Sequence, residues 1–280
     1  MPENNDQPIP TRIAEYLKAA LIASDAASEV LMSKFSSVNS AVEAMGLSSW
    51  EKAPGELVTE ADIESDKLIK SALSGIHTVG DIYSEEGFVG NGGGEYSWLV
   101  DPLCGTNCYA SGLATFGICI SLLGPNGTLV LGVITMPPIK ERLVTVVTKG
   151  VTRNGRPWLP VSPKSELKNT LIGVSVGGSW ANTGKDLAWA GETGGIISFG
   201  SAPYSLFHLA SGHLGAQLFF NAGVEHIAAG VAVCQQLGLK VTDALGEDID
   251  WKVNETYETV LISWPEYHDE LIALFDKDIV

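Results

Sequence analysis

The sequence is poor in cysteine, in basic residues and in uninterrupted apolar runs. It has 4 cysteines in 280 residues and no C-x-x-C pair, which predicts free thiols in a reducing compartment rather than a disulfide framework. Lysine and arginine number 17 against 33 acidic residues, and the formal net charge of −16 argues against nucleic acid or an anionic membrane as a partner, because both need a basic surface. The apolar stretch 113–131 is broken by glycine and proline, and the amino terminus lacks a basic region followed by an apolar one. We therefore predict a cytoplasmic protein with no membrane span.

The sequence has enough apolar residues for a large α/β core. With 45% hydrophobic residues, the chain fits either one large domain or two fused halves. Apolar residues recur at near-helical spacing over 13–35, and Thr59 followed three residues later by Asp62 resembles a capping box at the start of a second helix. Runs of β-branched residues between glycine and proline turns predict a sheet over 115–147. In the second half, short strands alternate with helices, which favours a layered α/β architecture.

Acidic residues stand at three points where an element begins or ends. Glu56 precedes the second predicted helix, Glu85 and Glu86 follow a short strand, and Asp101 follows the strand that begins at Ser97. Carboxylates at strand ends form metal sites in many enzymes, but exposed, solvated acids are the commoner case at such places. Spacing alone leaves both interpretations open.

The acids belong to a series of short motifs that follow one another along the chain. These are LVTEAD at 57–62, S-E-E-G at 84–87, W-x-x-D-P-L-x-G-T at 98–106, KGVTRNGRP at 149–157, Gly200-Ser201-Ala202, and AAG at 228–230. The series resembles the motifs of the inositol monophosphatase family, a family of magnesium-dependent, lithium-sensitive phosphatases. The resemblance implies a layered αβαβα sandwich with a cleft between two halves, which we place at 1–150 and 151–280. It also implies a small-molecule substrate and a homodimer.

The resemblance also implies a role for each matching residue. Glu85, Asp101 and the carbonyl of Leu103 would hold one Mg²⁺ or Mn²⁺, and Thr106 with Glu85 would position the attacking water. The residues expected to bind phosphate are Gly105, Thr106, Gly200, Ser201 and Ala202. Those expected to support the site are Glu56, Asp62 and Glu86.

The sequence departs from the family at the second metal position. The family's ligands there are three aspartates. The first is present here as Asp101, and the other two are replaced by Cys104 and His226. Magnesium prefers hard oxygen ligands, so it should bind weakly or not at all at this position. Two-metal hydrolysis is therefore expected to be impaired or replaced.

Other departures affect the substrate. Cys108 stands where the family has asparagine, Glu225 where it has tryptophan, and Glu56 where it usually has aspartate. Gly215 and Phe219 occupy positions that commonly carry acids and help to contact sugar hydroxyls in inositol-specific members. Inositol phosphate is therefore not the expected substrate.

The roles of Cys104 and His226 remain open between several interpretations. With Asp101 they offer an oxygen, sulfur and nitrogen set that suits Zn²⁺. They could instead form a Cys–His nucleophile pair, or fill space where no metal binds. We predict a divergent enzyme acting on a small molecule, with a reaction such as cyclisation or isomerisation in which His226 is the acid or base. The alternatives are a one-metal or zinc-assisted phosphomonoesterase and a non-catalytic binding relative.

Two further histidines are expected to lie outside this chemistry. His208 and His213 are five residues apart and so do not share one face of a helix. A core or surface role is the prediction for both.

Overall fold

A computed structural model of the chain describes residues 11–38, 48–53, 56–75, 80–90, 94–163, 165–176 and 187–278. The helices are α1 (Thr11–Val38), α2 (Glu60–Ser74), α3 (Thr106–Ala110), α4 (Ala202–Ala210), α5 (Val224–Gln236) and α6 (Pro265–Asp278). The strands are β1 (Ser49–Ala53), β2 (Glu56–Thr59), β3 (Ile82–Ser84), β4 (Gly87–Val89), β5 (Ser97–Cys104), β6 (Gly117–Leu123), β7 (Leu129–Met136), β8 (Glu141–Val146), β9 (Val151–Arg153), β10 (Arg156–Trp158), β11 (Ile172–Val176), β12 (Ile196–Ile197), β13 (Ala216–Gly223), β14 (Lys240–Thr242) and β15 (Thr256–Ser263).

The elements form five layers. Helices α1 and α2 pack on the outer face of an eight-stranded sheet with the order β10-β9-β8-β7-β6-β5-β3-β4. Helices α4 and α5 lie between this sheet and a five-stranded sheet with the order β12-β11-β13-β15-β14, and α6 packs against that second sheet. The predicted αβαβα sandwich is therefore confirmed.

Two apolar cores hold these layers together. One lies between the outer helices and the first sheet and includes Tyr16, Ile69 and Trp98. The other fills the space around α4 and α5 and includes Leu99 and Phe219. Strand β5 contributes alternate side chains to both cores, as expected for a strand with both faces covered.

Helix α2 begins as the sequence predicts. The Thr59 side chain accepts from the amides of Ala61 and Asp62, and the Asp62 side chain accepts from the Thr59 amide. This reciprocal capping box satisfies backbone donors that the first turn of a helix leaves unpaired.

Three further comparisons with the sequence-based predictions concern the end of one strand, the division into halves and membrane spans. Asp101 was expected to follow strand β5, but the strand continues to Cys104, so Asp101 lies inside it. The division at residue 150 stays a prediction, and strands β9 and β10 beyond it still pair with the first sheet. Among the helices within the described ranges, none is long and apolar enough to cross a membrane.

Candidate functional site

A bulge in β5 places Cys104 beside Asp101. Asp101 pairs with Cys119 of β6, whereas Cys104 pairs with Gly117, so the two residues between them on β5 oppose a single residue on β6. In a regular strand, residues three apart face opposite sides, and the extra residue turns Cys104 back to the side of Asp101. Pro102 lies within the bulge, where its missing N–H costs no ladder hydrogen bond.

His226 reaches the same point from α5. It lies in the first turn of this helix, which packs on the first sheet at Gly132, where a Cβ atom would lie 2.4 Å from the carbonyl oxygen of Ala229. This close approach brings the imidazole to β5, and the distance between His226 Nδ1 and Asp101 Oδ2 is 2.6 Å. Glu225 Oε1 lies 3.5 Å from the other ring nitrogen, Nε2.

Asp101, Cys104 and His226 therefore form one cluster, which we call the Asp–Cys–His cluster. Their ligand atoms all lie within 4.8 Å of one another. The side chain of Asp101 is fully buried, and that of His226 is 33% exposed. The cluster thus opens to the outside on the side of the imidazole.

The charge of Asp101 determines the protonation of His226. Burial alone lowers the pKa of His226, but the negative charge of Asp101 and its hydrogen bond outweigh burial and raise the pKa of His226 well above its ordinary value. An imidazolium donating from Nδ1 to Asp101 is the state that this arrangement favours.

Cys104 is held as a neutral thiol. Its hydrogen bond to Cys119, its burial and the charge of Asp101 raise the pKa of Cys104 well above its ordinary value. The thiol of Cys119 in turn donates to the carbonyl of His226 over 3.2 Å. A nucleophilic cysteine needs a lowered pKa, so the structure does not favour the Cys–His nucleophile.

Asp62 and Thr106 form a second polar group beside the cluster. Thr106 Oγ1 lies 2.9 Å from Asp62 Oδ1 and 3.0 Å from the carbonyl oxygen of Leu103. Burial raises the pKa of Asp62 to about 6 although hydrogen bonds from Thr59 and Thr106 oppose the shift, and Glu86 adds to it.

The hairpin of β3 and β4 carries the predicted acids Glu85 and Glu86. The Glu85 amide donates to the carbonyl of Val100, which sets this turn next to β5. Ser84 anchors the turn, because its hydroxyl donates to Asp66 over 2.6 Å and accepts from the Glu86 amide. The third predicted acid, Glu56, has its backbone in β2, but its side chain lies outside what the structure describes.

The predicted phosphate-binding residues also come together. Gly105 has φ of 100°, and a Cβ atom there would lie 3.0 Å from Cβ of Ser201 and 3.1 Å from the carbonyl oxygen of Gly200. Ser201 Oγ donates to the carbonyl of Cys104, and the Ala202 amide donates to Cys104 Sγ. Ser201 and Ala202 thus hold Cys104 in place. The predicted role of these segments in binding phosphate stays a prediction.

The donor set of the Asp–Cys–His cluster does not fit magnesium. Both oxygens of Asp101 accept hydrogen bonds, one from His226 and the other from the Leu103 amide. A thiol and an imidazole complete the set, whereas Mg²⁺ demands oxygen ligands in octahedral geometry. Glu85, Asp101 and the Leu103 carbonyl remain the predicted ligands for one Mg²⁺ or Mn²⁺.

Two residues of this region were not singled out from the sequence. Cys119 supports Cys104 from β6, and its place opposite Asp101 depends on strand pairing that the sequence does not reveal. Asp66 anchors the hairpin from α2, and its spacing of four residues from Asp62 was the available signal, because residues four apart share a helix face.

Comparison with known proteins identifies the family. The sequence matches the inositol monophosphatase family over residues 13–279. The chain is 30% identical over 208 residues to Nus factor SuhB of Pseudomonas aeruginosa, covering 70% of this chain and 75% of that protein. It is 30% identical over 203 residues to inositol-1-monophosphatase of Mesorhizobium japonicum, covering 70% and 75%.

Solved structures agree with this match. The extragenic suppressor protein suhB from Bartonella henselae has a TM-score of 0.81 at 23% identity, covering 96% of this chain and 99% of that one. The inositol monophosphatase from Anabaena (Nostoc) has a TM-score of 0.79 at 26% identity, covering 95% and 97%. The matched length and the shared fold together show that this chain belongs to the inositol monophosphatase family.

Proposed function

We propose that this chain is a small-molecule enzyme in which the Asp101–His226 pair carries out acid–base chemistry in place of two-metal hydrolysis. The observation that carries the proposal is the 2.6 Å contact between His226 Nδ1 and Asp101 Oδ2. A buried carboxylate that accepts from one imidazole nitrogen orients the ring and leaves the other nitrogen to exchange protons. Cyclisation or isomerisation of a polar small molecule is the reaction class that such a pair serves.

The proposed roles divide between the two residues. Asp101 orients the imidazole and stabilises its charged form, and it has no contact with solvent. His226 gives a proton to the substrate and takes one back at Nε2, the ring nitrogen that faces Glu225 rather than Asp101. Cys104 packs beside this pair as a neutral thiol. The phosphatase role of Glu85 and Thr106 is then no longer required.

A second candidate is a zinc-assisted phosphomonoesterase. The three ligand atoms of the Asp–Cys–His cluster lie within 4.8 Å of one another, and oxygen, sulfur and nitrogen donors suit Zn²⁺. Three protein ligands leave a fourth position open, as in catalytic zinc sites. Hydrolysis would also be sustained by a single Mg²⁺ or Mn²⁺ held by Glu85, Asp101 and the carbonyl of Leu103 in place of zinc.

Restoring the two family aspartates tests the main proposal. We expect the wild-type protein to release no phosphate from a panel of phosphomonoesters with Mg²⁺, Mn²⁺ or Zn²⁺. The double variant Cys104→Asp/His226→Asp should gain magnesium-dependent phosphate release, because three carboxylates then face the second metal position. The measurement is phosphate release against magnesium concentration, together with the metal content of each purified protein.

A charge-matched control is Leu159→Asp/Gly191→Asp, which adds two carboxylates at open positions outside the cluster. It should remain inactive if the effect belongs to the second metal position. Wild-type turnover with magnesium that survives His226→Gln would overturn the proposal and return the chain to the metal-dependent phosphatases. Zinc-dependent turnover lost on Cys104→Ser would favour the second candidate.

The acid–base pair also has a readout that needs no substrate. A proton held between Nδ1 and a buried carboxylate gives a strongly downfield NMR signal that exchanges slowly. We expect this signal in the wild type and its loss in Asp101→Asn. A wild type without the signal, and with no turnover of any kind, would instead favour a non-catalytic binding relative.

A further inference from the structure

Helix α4 ends in a turn that brings two histidines together. The amide of His213 donates to the carbonyl of His208, and the amide of Gly212 donates to the carbonyl of Leu209. This is the Schellman pattern, in which the last residue of the turn contacts the residue five positions before it. Gly212 has φ of 75°, as this turn requires. The two residues that meet in this turn are usually apolar, but here both are histidines.

The two imidazoles meet head to head. The distance between Nδ1 of His208 and Nδ1 of His213 is 2.9 Å, and the ring centroids are 5.1 Å apart. Such a contact holds one proton, which one nitrogen donates and the other accepts. If both rings carry a proton on Nδ1, two N–H groups with like charge face each other, and the contact is repulsive.

Few other titratable or charged groups surround His208 in the described part of the chain. Tyr204 lies on the same helix, with ring centroids 6.2 Å apart, and burial raises its pKa to about 12, so it stays neutral. Arg153 is separated from His208 by the ring of Phe207. Burial and the charge of His213 lower the pKa of His208.

A stacked aromatic contact connects the pair to the candidate site. The ring of His208 stacks on Phe199, with centroids 4.7 Å apart and an angle of 17°. The carbonyls of Phe199 and Gly200 accept from the thiol of Cys108, on the short helix α3 that follows β5. Ser201, the next residue, donates to the carbonyl of Cys104. The segment 199–201 therefore runs from the histidine pair to the Asp–Cys–His cluster.

We propose that the His208–His213 pair is a proton-sensitive latch that holds the end of α4 and, through Phe199, the segment 199–201. At neutral pH the shared proton keeps the latch closed. A further proton on the donating ring leaves this contact in place, but once both rings are charged two N–H groups face each other, so exposed His213 turns away and the stack of His208 on Phe199 loosens. The opening of the latch follows from this geometry alone, whereas its effect on catalysis rests on the proposed function.

Hydrogen exchange tests the latch without a substrate. After correction for intrinsic rates, we expect amides in 199–213 to exchange about fivefold faster at about pH 5.5 than at pH 7.5, the factor for losing one hydrogen bond. In His213→Gln the ratio should fall to about one, because glutamine can bond to His208 at either pH but takes up no proton. His268→Gln is the matched control, since it removes a histidine of helix α6, far along the chain from the pair, and should keep the wild-type ratio.

A second measurement follows the two rings directly. Ring nitrogen NMR of the wild type should show His208 and His213 titrating as a coupled pair, and His208 should titrate in one step in His213→Gln. Equal exchange ratios in the wild type and His213→Gln would overturn the latch, as would independent titration of the two rings. Neither result bears on the acid–base proposal, which is tested at Asp101 and His226.

Discussion

Asp62 illustrates how burial changes the chemistry of a single residue. Its side chain is fully buried, and Oδ2 accepts from both the amide and the hydroxyl of Thr59. The other oxygen faces Thr106, whose hydroxyl can donate instead to the carbonyl of Leu103. A protonated Asp62 therefore fits this site, because it can donate to Thr106 while Thr106 donates onward.

We predict that Asp62→Asn stabilises the fold at neutral pH, because the asparagine amide reproduces the protonated acid. The pKa of Asp62 is raised from 3.8 to about 6, so the folded state binds the proton more tightly than the unfolded state. The contribution of Asp62 to stability is therefore complete below pH 3.8 and falls as pH rises through 6. The full loss is about 3 kcal/mol.

Urea unfolding of both proteins between pH 4 and pH 8 provides the measurement. The difference in the free energy of unfolding should be near zero at pH 4 and should favour the variant at pH 8. A variant that is less stable at pH 8 would show that the carboxylate form of Asp62 is the one that the fold requires.

The sequence revealed which residues form the candidate site better than it revealed their states. Matching motifs placed Asp62, Asp101 and Thr106 in one region, because residue types and spacing are visible in a sequence. Protonation depends on burial and on neighbours from distant segments, such as Cys119 beside Cys104. A one-dimensional pattern does not contain that information.

At the level of elements, the contact of α5 with β7 decides where His226 lies. A Cβ atom at Gly132 of β7 would lie 2.4 Å from the carbonyl oxygen of Ala229 and 3.0 Å from Cβ of Ala232. The first of these neighbours is backbone, so the helix and strand would have to separate to make room. Glycine is required here for space, since the backbone angle at Gly132 is not unusual.

We predict that Gly132→Ala destabilises the fold by about 1–3 kcal/mol, the usual cost of overpacking. The variant should also weaken the Asp101–His226 contact, seen as loss or broadening of its downfield NMR signal. Gly191→Ala is the control, because a Cβ atom there meets nothing within 4 Å, and it should change stability by less than about 0.5 kcal/mol. If both variants behave alike, α5 does not depend on this close approach.

Elements with a local chemical signal were predicted, and irregular ones were not. The capping box of α2 was read correctly because Thr59 and Asp62 form it by themselves. The bulge in β5 was missed, although Pro102 within a strand is a signal of irregular pairing. The contact of His208 with His213 was missed because helical spacing does not apply once the chain turns at Gly212.

Across the whole molecule, the Asp–Cys–His cluster joins two layers. Asp101 and Cys104 belong to the first sheet, whereas His226 belongs to the helical layer between the sheets. An ion bound by all three residues would therefore bind only while these layers are packed together. Binding to the folded state alone raises stability by an amount set by concentration and affinity.

Because a bound ion raises the stability of the fold, thermal stability distinguishes zinc binding from magnesium binding without an activity assay. If the second candidate function holds, Zn²⁺ at one hundred times its dissociation constant should stabilise the fold by about 2.7 kcal/mol. For a chain of this size that corresponds to a rise in Tm of roughly 5 °C. If the acid–base proposal holds, neither ion should raise the Tm of the wild type more than it raises that of Cys104→Ser. The reason is that His226 and Asp101 are already hydrogen-bonded to each other.

Thermal unfolding of the wild type, Cys104→Ser and Cys108→Ser with each ion makes the measurement. Stabilisation by zinc that is lost in Cys104→Ser and kept in Cys108→Ser would assign the ion to the cluster, because Cys108 is a half-buried thiol outside it. A rise with magnesium that Cys104→Ser leaves intact would place a metal at Glu85, Asp101 and Leu103 instead. That result would mean that the first metal position still works although the second has changed.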